Sequence, residues 1–181
     1  MTFQLRSMRS QELDIVLNLI HRSIRELSAE DYTSQQLEII TVPYDRFFLM
    51  QGRVMVAEQN NQIIGVAKAS ANGWKTQVIE ALFTHPDFVR QGVATSLVQE
   101  VERRARKKRV KRIVVTASLT AIELYQSLGY KQIKEVTILQ CIPCLLFEKQ
   151  FEPFTIIDRI FGSTAVICAV LFLVVYLLLL I

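Results

Sequence analysis

The sequence lacks most of the features that mark several large protein classes. Only 3 of its 181 residues are cysteine and 2 are histidine. Cys141 and Cys144 form one C-x-x-C pair without the second pair or histidine cluster that a zinc site needs, so we expect ordinary packing in a reduced compartment. Neither a G-x-x-x-x-G-K-[ST] loop nor a G-x-G-x-x-G motif occurs, which argues against nucleoside-triphosphate and dinucleotide sites. Repeats and low-complexity linkers are absent too. At 51% hydrophobic residues, the chain is also too apolar to be disordered.

One long apolar run is present, and a polytopic membrane protein is excluded because there is no second. Residues 164–181 read TAVICAVLFLVVYLLLLI, with 17 apolar residues of 18. As a helix they would extend about 27 Å, close to the roughly 30 Å hydrocarbon thickness of a bilayer. We therefore expect a single transmembrane helix at 164–181, rather than a buried C-terminal element, preceded by a juxtamembrane linker at 151–163. The N-terminus has no apolar signal segment, and Lys149 and Arg159 precede the span, which predicts a domain on the cytoplasmic side.

The basic excess is as local as the apolar excess. Residues 103–112, RRARKKRVKR, hold 8 of the 21 basic residues, so the rest of the chain sums to about −4 against the overall +4. Three interpretations stay open: a solvated helix end that complements the helix dipole, a surface attracted to anionic membrane, or a nucleic-acid site. The absence of interleaved aromatic residues and of a known nucleic-acid-binding motif disfavours the last.

Hydrophobic periodicity predicts a mixed α/β domain over residues 1–150. We expect strands at 2–6, 53–58, 63–70, 77–84, 113–117, 134–140 and 145–149, and helices at 11–28, 34–40, 92–109 and 120–128. The resulting order is β-αα-βββ-α-β-α-ββ. An antiparallel meander followed by β-α-β units predicts a mixed, twisted sheet with helices on both faces.

The segment LFTHPDFVRQGVAT, residues 82–95, carries the chemistry. A strand ends, the chain turns at His85-Pro86-Asp87, and a helix begins with its first N–H groups free. Those groups and the positive end of the helix dipole form an anion site suited to phosphate. Gly92 allows close approach to the backbone, and Arg90 adds a positive charge at the same place.

Two segments resemble one known family. VRQGVA, following a strand and an HP turn, is similar to the acyl-CoA-binding motif Q/R-x-x-G-x-G/A of the GNAT N-acetyltransferases. AIELYQSLGY, residues 121–130, is similar to the A-x-x-x-Y-x-x-x-G-[FY] helix that follows the next strand of that family. The predicted element order agrees, and the resemblance covers about residues 2–150. It implies the GNAT acyl-CoA N-acyltransferase fold and transfer of acetyl from acetyl-CoA to a primary amine, without a metal.

The resemblance also implies roles for particular positions. Tyr125 would protonate the departing CoA thiolate, as a phenol that is protonated at neutral pH can do. Two positions depart from the family pattern: Val89 occupies the first Q/R position, and Ser118 stands where relatives often carry an asparagine that contacts the cofactor. The cofactor-binding backbone would comprise Arg90, Gln91, Gly92, Val93, Ala94 and Thr95 at the pyrophosphate, and Leu82, Phe83 and Thr84 at the pantetheine arm and thioester carbonyl.

The general base and the acceptor are left open by the sequence. Glu80 lies where relatives sometimes place a glutamate base, but it could instead pair with Lys68, and a water chain could take the proton. His85 is expected to be structural. The acceptor, a small molecule or a protein, would be recognised near residues 24–44 and by the loop around Cys141. The alternative function is a non-catalytic CoA-binding or membrane-surface interaction domain.

Overall fold

The computed structural model describes residues 2–152, which form a seven-stranded mixed sheet with helices on both faces. The strands are β1 (Gln4–Ser7), β2 (Val54–Gln59), β3 (Gln62–Ala71), β4 (Thr76–Thr84), β5 (Arg112–Ser118), β6 (Lys131–Ile138) and β7 (Ile142–Gln150). The helices are α1 (Leu13–Leu27), α2 (Ser34–Thr41), α3 (Arg46–Met50), α4 (Val93–Lys107) and α5 (Ile122–Ser127). Every strand and helix predicted within residues 2–152 is present in the predicted order, and α3 is an addition.

The sheet runs β1-β2-β3-β4-β5-β7-β6, and only the β4–β5 pair is parallel. This single parallel pair follows from the crossover through α4, since a parallel neighbour needs a connection long enough to return to the same sheet end. The remaining neighbours are antiparallel, as the hairpin at Asn60-Asn61 illustrates. Both asparagines adopt positive φ, 48° and 63°, which suits the tight turns that join antiparallel strands.

Two hydrophobic cores lie on opposite faces of the sheet. The first is built between the sheet and α4, whose Leu97, Val98 and Ala105 are fully buried. The second packs α1 against the other face through Val16 and Ile20, which are equally buried. Both helices place apolar residues at three- and four-residue intervals, so each contributes one stripe to its core. The predicted covering of both faces is thereby confirmed.

Several predicted boundaries were wrong by a few residues, and local turns explain two of them. The helix predicted to reach Arg109 ends at Lys107, because Arg109 itself adopts a left-handed φ of 55°. The strand predicted to reach Gln140 ends at Ile138, because Leu139 and Gln140 form a turn with φ of 49° and 64°. Helix α3 has only five residues, too few for a periodic signal, and is stabilised at its start by the Asp45 carboxylate, which accepts from the Phe48 N–H.

No helix within residues 2–152 is both long and apolar enough to cross a membrane. The helix predicted at 164–181 lies outside the described residues. Of the linker predicted at 151–163, only residues 151 and 152 are described. Both therefore stay predictions.

Candidate active site

The central strands β4 and β5 separate part-way along the sheet. Their parallel ladder runs from Thr76↔Arg112 to Ile79↔Val115 and stops. Beyond it β4 continues along β3 as far as Thr84, while β5 continues along β7 as far as Ser118. The edge of β4 that faces the opening has no ladder partner from Glu80 onward, so its N–H and C=O groups can bind an extended ligand. The predicted pantetheine-binding strand end, Leu82, Phe83 and Thr84, lies on this edge.

A β-bulge at Glu80 accompanies the separation. Ala81 pairs with Lys68 and Ile79 with Ala69, which leaves Glu80 as the extra residue on β4. A bulge bends its strand and increases the local twist. The bend therefore occurs where β4 leaves β5, and it directs the Glu80 side chain toward Lys68 and Ser70.

The N-terminus of α4 lies beyond the end of β4 and is uncapped. Gly92 is its N-cap with φ of 78°, and no side chain in the described part of the chain caps the helix. The preceding Arg90 also has positive φ, 59°, so the loop turns sharply before the helix starts. A Cβ built on Gly92 would meet nothing within 4 Å among the described residues, so the space beside the N-cap is open. Backbone donors that face open space at a helix N-terminus suit a phosphate.

The predicted cofactor-binding residues cluster around this helix start, although their side chains contribute little. Val93 is buried in the first core, whereas Ala94 and Thr95 are half-buried. The Arg90 guanidinium lies 3.6 Å from the Glu123 carboxylate, and both side chains are more than 80% exposed. Such an exposed pair contributes little energy and leaves Arg90 able to approach a bound anion. Val89 is exposed, so its departure from the family pattern disturbs no packing.

Tyr125 lies on α5, the helix that follows β5, and is buried in the first core. Its ring stacks on the Phe147 ring with the two centroids 6.1 Å apart. It meets the Tyr130 ring edge-on at a centroid distance of 5.3 Å. Burial raises the pKa of Tyr125 above its usual value, with a smaller contribution from Tyr44. Tyr44 packs against the second core, on the opposite face of the sheet from Tyr125. A phenol with a raised pKa stays protonated and can donate to a departing thiolate.

Glu80 faces the α1 side of the sheet and has two polar neighbours. Its Oε2 lies 3.0 Å from Lys68 Nζ, and its Oε1 accepts a hydrogen bond from Ser70 Oγ. The predicted pairing with Lys68 is therefore present in the structure. The side chain of Glu80 keeps 29% of its surface exposed, although its Oε2 is itself buried. Whether it serves as the base stays a prediction.

Lys68 is the charged residue that the fold buries most deeply here, with 5% of its side chain exposed. Its ammonium donates to the Phe48 carbonyl at 2.8 Å and lies 3.7 Å from the Phe48 ring centroid. The Glu80 carboxylate, a carbonyl and an aromatic face together offset the desolvation of this cation. Since Phe48 belongs to α3, the pair also joins that short helix to the sheet.

The two segments predicted to recognise the acceptor contact each other. The Gln36 amide donates to the Cys141 carbonyl at 2.8 Å, and the Tyr32 hydroxyl donates to the Pro143 carbonyl at 2.9 Å. Tyr32 also accepts from the Leu119 N–H at 2.8 Å, so it joins the α1–α2 connection to the ends of β5 and β7. Burial raises the pKa of Tyr32 to about 12, which keeps it a hydrogen-bond donor.

Tyr44 is a site residue that no sequence motif marked individually. Its ring meets the Phe83 and Phe48 rings edge-on, with centroid distances of 5.0 Å and 5.2 Å. Burial raises the pKa of Tyr44 to about 12. Only the irregular chain between α2 and α3 brings it there, so the acceptor side of the opening combines aromatic rings with one carboxylate.

His85 and His21 make structural contacts. In His85, Nδ1 accepts from the Asp87 N–H at 3.3 Å, and the ring packs on Phe88. Its Nε2 lies 3.1 Å from an Arg22 nitrogen, which connects the turn to α1. His21 Nε2 lies 2.9 Å from the Tyr44 carbonyl and must donate to it, because a carbonyl only accepts.

Ser118 ends β5 opposite Cys144, and its side chain caps no helix. Its predicted contact with the cofactor stays a prediction. Cys144 is buried on β7 and Cys141 is exposed in the adjoining turn, and both thiols are free. Burial raises the pKa of Cys144, which makes it less reactive.

This combination of fold and site is that of an acyl-CoA-dependent acyltransferase. A family model described as "Acetyltransferase (GNAT) domain" matches residues 19–151. The chain therefore belongs to the GNAT acetyltransferase family, and it is an acyltransferase.

Solved structures with the same fold support this assignment. The GCN5-related N-acetyltransferase from Rhodopseudomonas palustris is 24% identical, with a TM-score of 0.74 over 83% of this chain and 97% of its own. PaiA N-acetyltransferase from Thermoplasma acidophilum, solved with coenzyme A, is 14% identical, with a TM-score of 0.72 over 83% and 100%. A GNAT acetyltransferase from Brucella melitensis, solved with acetyl-CoA, is 16% identical, with a TM-score of 0.60 over 85% and 91%.

Proposed function

We propose that this protein transfers the acetyl group of acetyl-CoA to a primary amine of a small molecule or protein. The observation that carries the proposal is the uncapped N-terminus of α4, which lies beside the unpaired edge of β4. The first feature provides donors for the pyrophosphate, and the second provides an extended edge for the pantetheine arm. Two neighbouring folds were solved with coenzyme A or acetyl-CoA, which is consistent with that ligand here.

The reaction proceeds by direct attack. The amine nitrogen forms a bond to the thioester carbonyl carbon, and the carbon–sulfur bond breaks. N–H groups on the open edge of β4, from Leu82 to Thr84, stabilise the negative charge that develops on the carbonyl oxygen. The CoA thiolate takes its proton from the Tyr125 hydroxyl, and the amine loses its proton to Glu80 or to water.

The acceptor enters from the α1 side of the sheet. There the Glu80 carboxylate pairs with Lys68, whose ammonium lies over the Phe48 ring, and Tyr44 contacts both Phe48 and Phe83. A carboxylate on a face that also carries aromatic rings favours an amine, because the carboxylate attracts the ammonium form and the rings tolerate a partly desolvated cation. Lys68 balances part of the carboxylate charge, so the site favours an acceptor with one amine over a polyamine.

The proposal also covers where in the cell the protein lies. We propose that the apolar segment 164–181 holds the catalytic domain at a membrane, with the domain on the cytoplasmic side. The support is the 17 apolar residues of 18 in that segment and the basic residues Lys149 and Arg159 that precede it.

The test is an acceptor screen on the full chain in detergent, with release of the CoA thiol as the readout. Candidate amines include monoamines, polyamines, amino acids and peptides with a free N-terminus. We expect acetyl-CoA turnover that depends on one class of amine. If acetyl-CoA binds but none of the amines releases thiol above the rate of hydrolysis, the protein is a CoA-binding domain and the proposal fails.

A further inference from the structure

The cationic residues of the basic stretch lie at the sheet end opposite the active site. Strand β4 begins there at Thr76, next to the start of β5 at Arg112. Helix α4 ends at the same place with Lys107. The active-site opening lies at the other end of α4, about 22 Å away for a 15-residue helix.

A cavity of about 270 Å³ opens beneath this end of α4. Its floor is apolar and includes Met55 and Val101, which belong to β2 and α4. Four cationic side chains line it, namely Arg53, Arg104, Lys107 and Lys108. Among residues 2–152 no acidic side chain lines the cavity, so the ligand that fits its chemistry is an anion attached to an apolar body.

Three of those four cations have no acidic partner within the described part of the chain: Arg53, Lys107 and Lys108. The fourth, Arg104, lies 2.8 Å from Glu100, which also binds Arg103. These two arginines hold the pKa of Glu100 at about 2, so its single negative charge persists at neutral pH. The lining of the cavity therefore keeps a clear excess of positive charge.

The last described residues lie at this same end. The Phe151 N–H donates to the Lys111 carbonyl at 2.7 Å, and Arg106 stacks over the Phe151 ring at 3.9 Å. Only residues 153–163 separate this point from the apolar segment at 164–181. Eleven residues reach at most about 39 Å when fully extended. The length of the chain therefore lets the proposed anchor begin no more than about 39 Å from the last described residues.

We infer that this end of the domain docks on an anionic phospholipid surface, with a headgroup phosphate bound between Arg53, Arg104, Lys107 and Lys108. The inference rests on the proposed membrane location. Docking holds the opening between β4 and β5 about one length of α4 away from the lipid surface. The acceptor is then an amine that arrives from the aqueous phase, and not a lipid.

Trp74 makes the inference testable, since it is the single tryptophan of the chain. It lies in the β3–β4 hairpin at the cationic end and is 46% exposed. The full chain is reconstituted into vesicles of phosphatidylcholine alone or with 30% phosphatidylglycerol, each with brominated phosphatidylcholine as a quencher. We expect a blue-shifted, quenched Trp74 emission in the anionic vesicles only, and its reversal in high salt.

Charge-reversal variants test whether the lysines at the end of α4 bind the anionic surface. Lys107→Glu with Lys108→Glu is expected to lower the docked-to-undocked ratio by at least roughly 30-fold, because each basic residue near an anionic surface changes it by about fivefold. The matched control is Arg25→Glu with Lys134→Glu, two exposed residues away from the cationic end, which makes the same change in net charge. The control is expected to keep the anionic-vesicle quenching.

Separate outcomes test the anchor and the docking. Failure of the full chain to float with neutral vesicles overturns the anchor. Flotation with equal Trp74 quenching in neutral and anionic vesicles overturns the docking alone. Equal loss of quenching in both charge-reversal variants also overturns it, because the effect is then one of net charge. Displacement of the docked domain by duplex DNA at stoichiometric concentration would assign the cationic end to nucleic acid instead.

Discussion

Gly65 determines how closely α4 approaches the sheet, and its replacement by alanine perturbs the active site from a distance. A Cβ at this position would lie 2.6 Å from Val93 Cγ1 and 3.0 Å from Leu97 Cδ1. Carbon atoms in contact prefer about 3.5–4.0 Å, so the first turn of α4 must move by about 1 Å. Overpacking of this kind costs about 1–3 kcal/mol. For a domain of this size, we expect Gly65→Ala to lower the Tm by roughly 2–12 °C.

The same displacement weakens cofactor binding, because Val93 is the first residue of the helix that holds the phosphate. Loss of one hydrogen bond to a charged acceptor costs about 1.5–3 kcal/mol, so the Kd for acetyl-CoA is expected to rise by roughly 10- to 150-fold. The assay is calorimetric titration of acetyl-CoA together with thermal unfolding of the full chain.

A second substitution tests the reasoning. Val93→Ala removes the methyl group that the new Cβ would strike, so Gly65→Ala with Val93→Ala should be more stable than the two single effects predict. We expect a coupling of about 1 kcal/mol or more. Strict additivity, or an unchanged Kd in Gly65→Ala, would show that the glycine does not position α4 and would refute the explanation.

Two further predictions concern catalysis and acid stability. Tyr125→Phe should lower kcat by roughly 10²- to 10⁴-fold, because the variant loses the acid that protonates the thiolate. The Tm should stay unchanged, because the Tyr125 hydroxyl bonds to no described residue. Tyr130→Phe is the control, and equal turnover in the two variants would contradict the role of Tyr125. Arg6 donates to Glu58 at 2.7 Å and holds the pKa of that carboxyl at about 2. This stabilisation is complete above about pH 4.5 and is lost as the pH falls toward 2. Arg6→Gln should therefore narrow the Tm difference between pH 7 and pH 3, and an unchanged difference would contradict it.

Much of the fold could be predicted because its elements are periodic and long. Helix α1 and helix α4 each present one apolar stripe over 15 residues, and the segment from Asn60 to Gln62 marks the first hairpin by its turn residues. The order of elements then restricts the sheet to a meander followed by β-α-β units. What escaped prediction is short or irregular, as in α3, whose five residues are specified mainly by the cap at Asp45.

The part of the candidate active site that consists of backbone groups could be predicted from the sequence. Gly92 and the free N–H groups of α4 follow from a strand, a turn and a small-residue helix start, which are local features. The separation of β4 from β5 depends on pairing between distant segments, and the contacts of Tyr44 depend on an irregular loop. Neither leaves a periodic signal. The role of Gly65 could not be predicted either, since the close approach of α4 to β3 depends on tertiary packing.

The central claim is that acetyl-CoA binds at the N-terminus of α4, and one titration tests it most directly. Acetyl-CoA is titrated calorimetrically into the wild-type chain, Gly92→Glu and the control Gly73→Glu. Both glycines have positive φ and open space around the absent Cβ, but Gly73 lies in the distant β3–β4 hairpin. We predict saturable binding to the wild type and to Gly73→Glu, and none to Gly92→Glu, whose carboxylate would repel the phosphate. Equal binding to all three proteins would contradict the account.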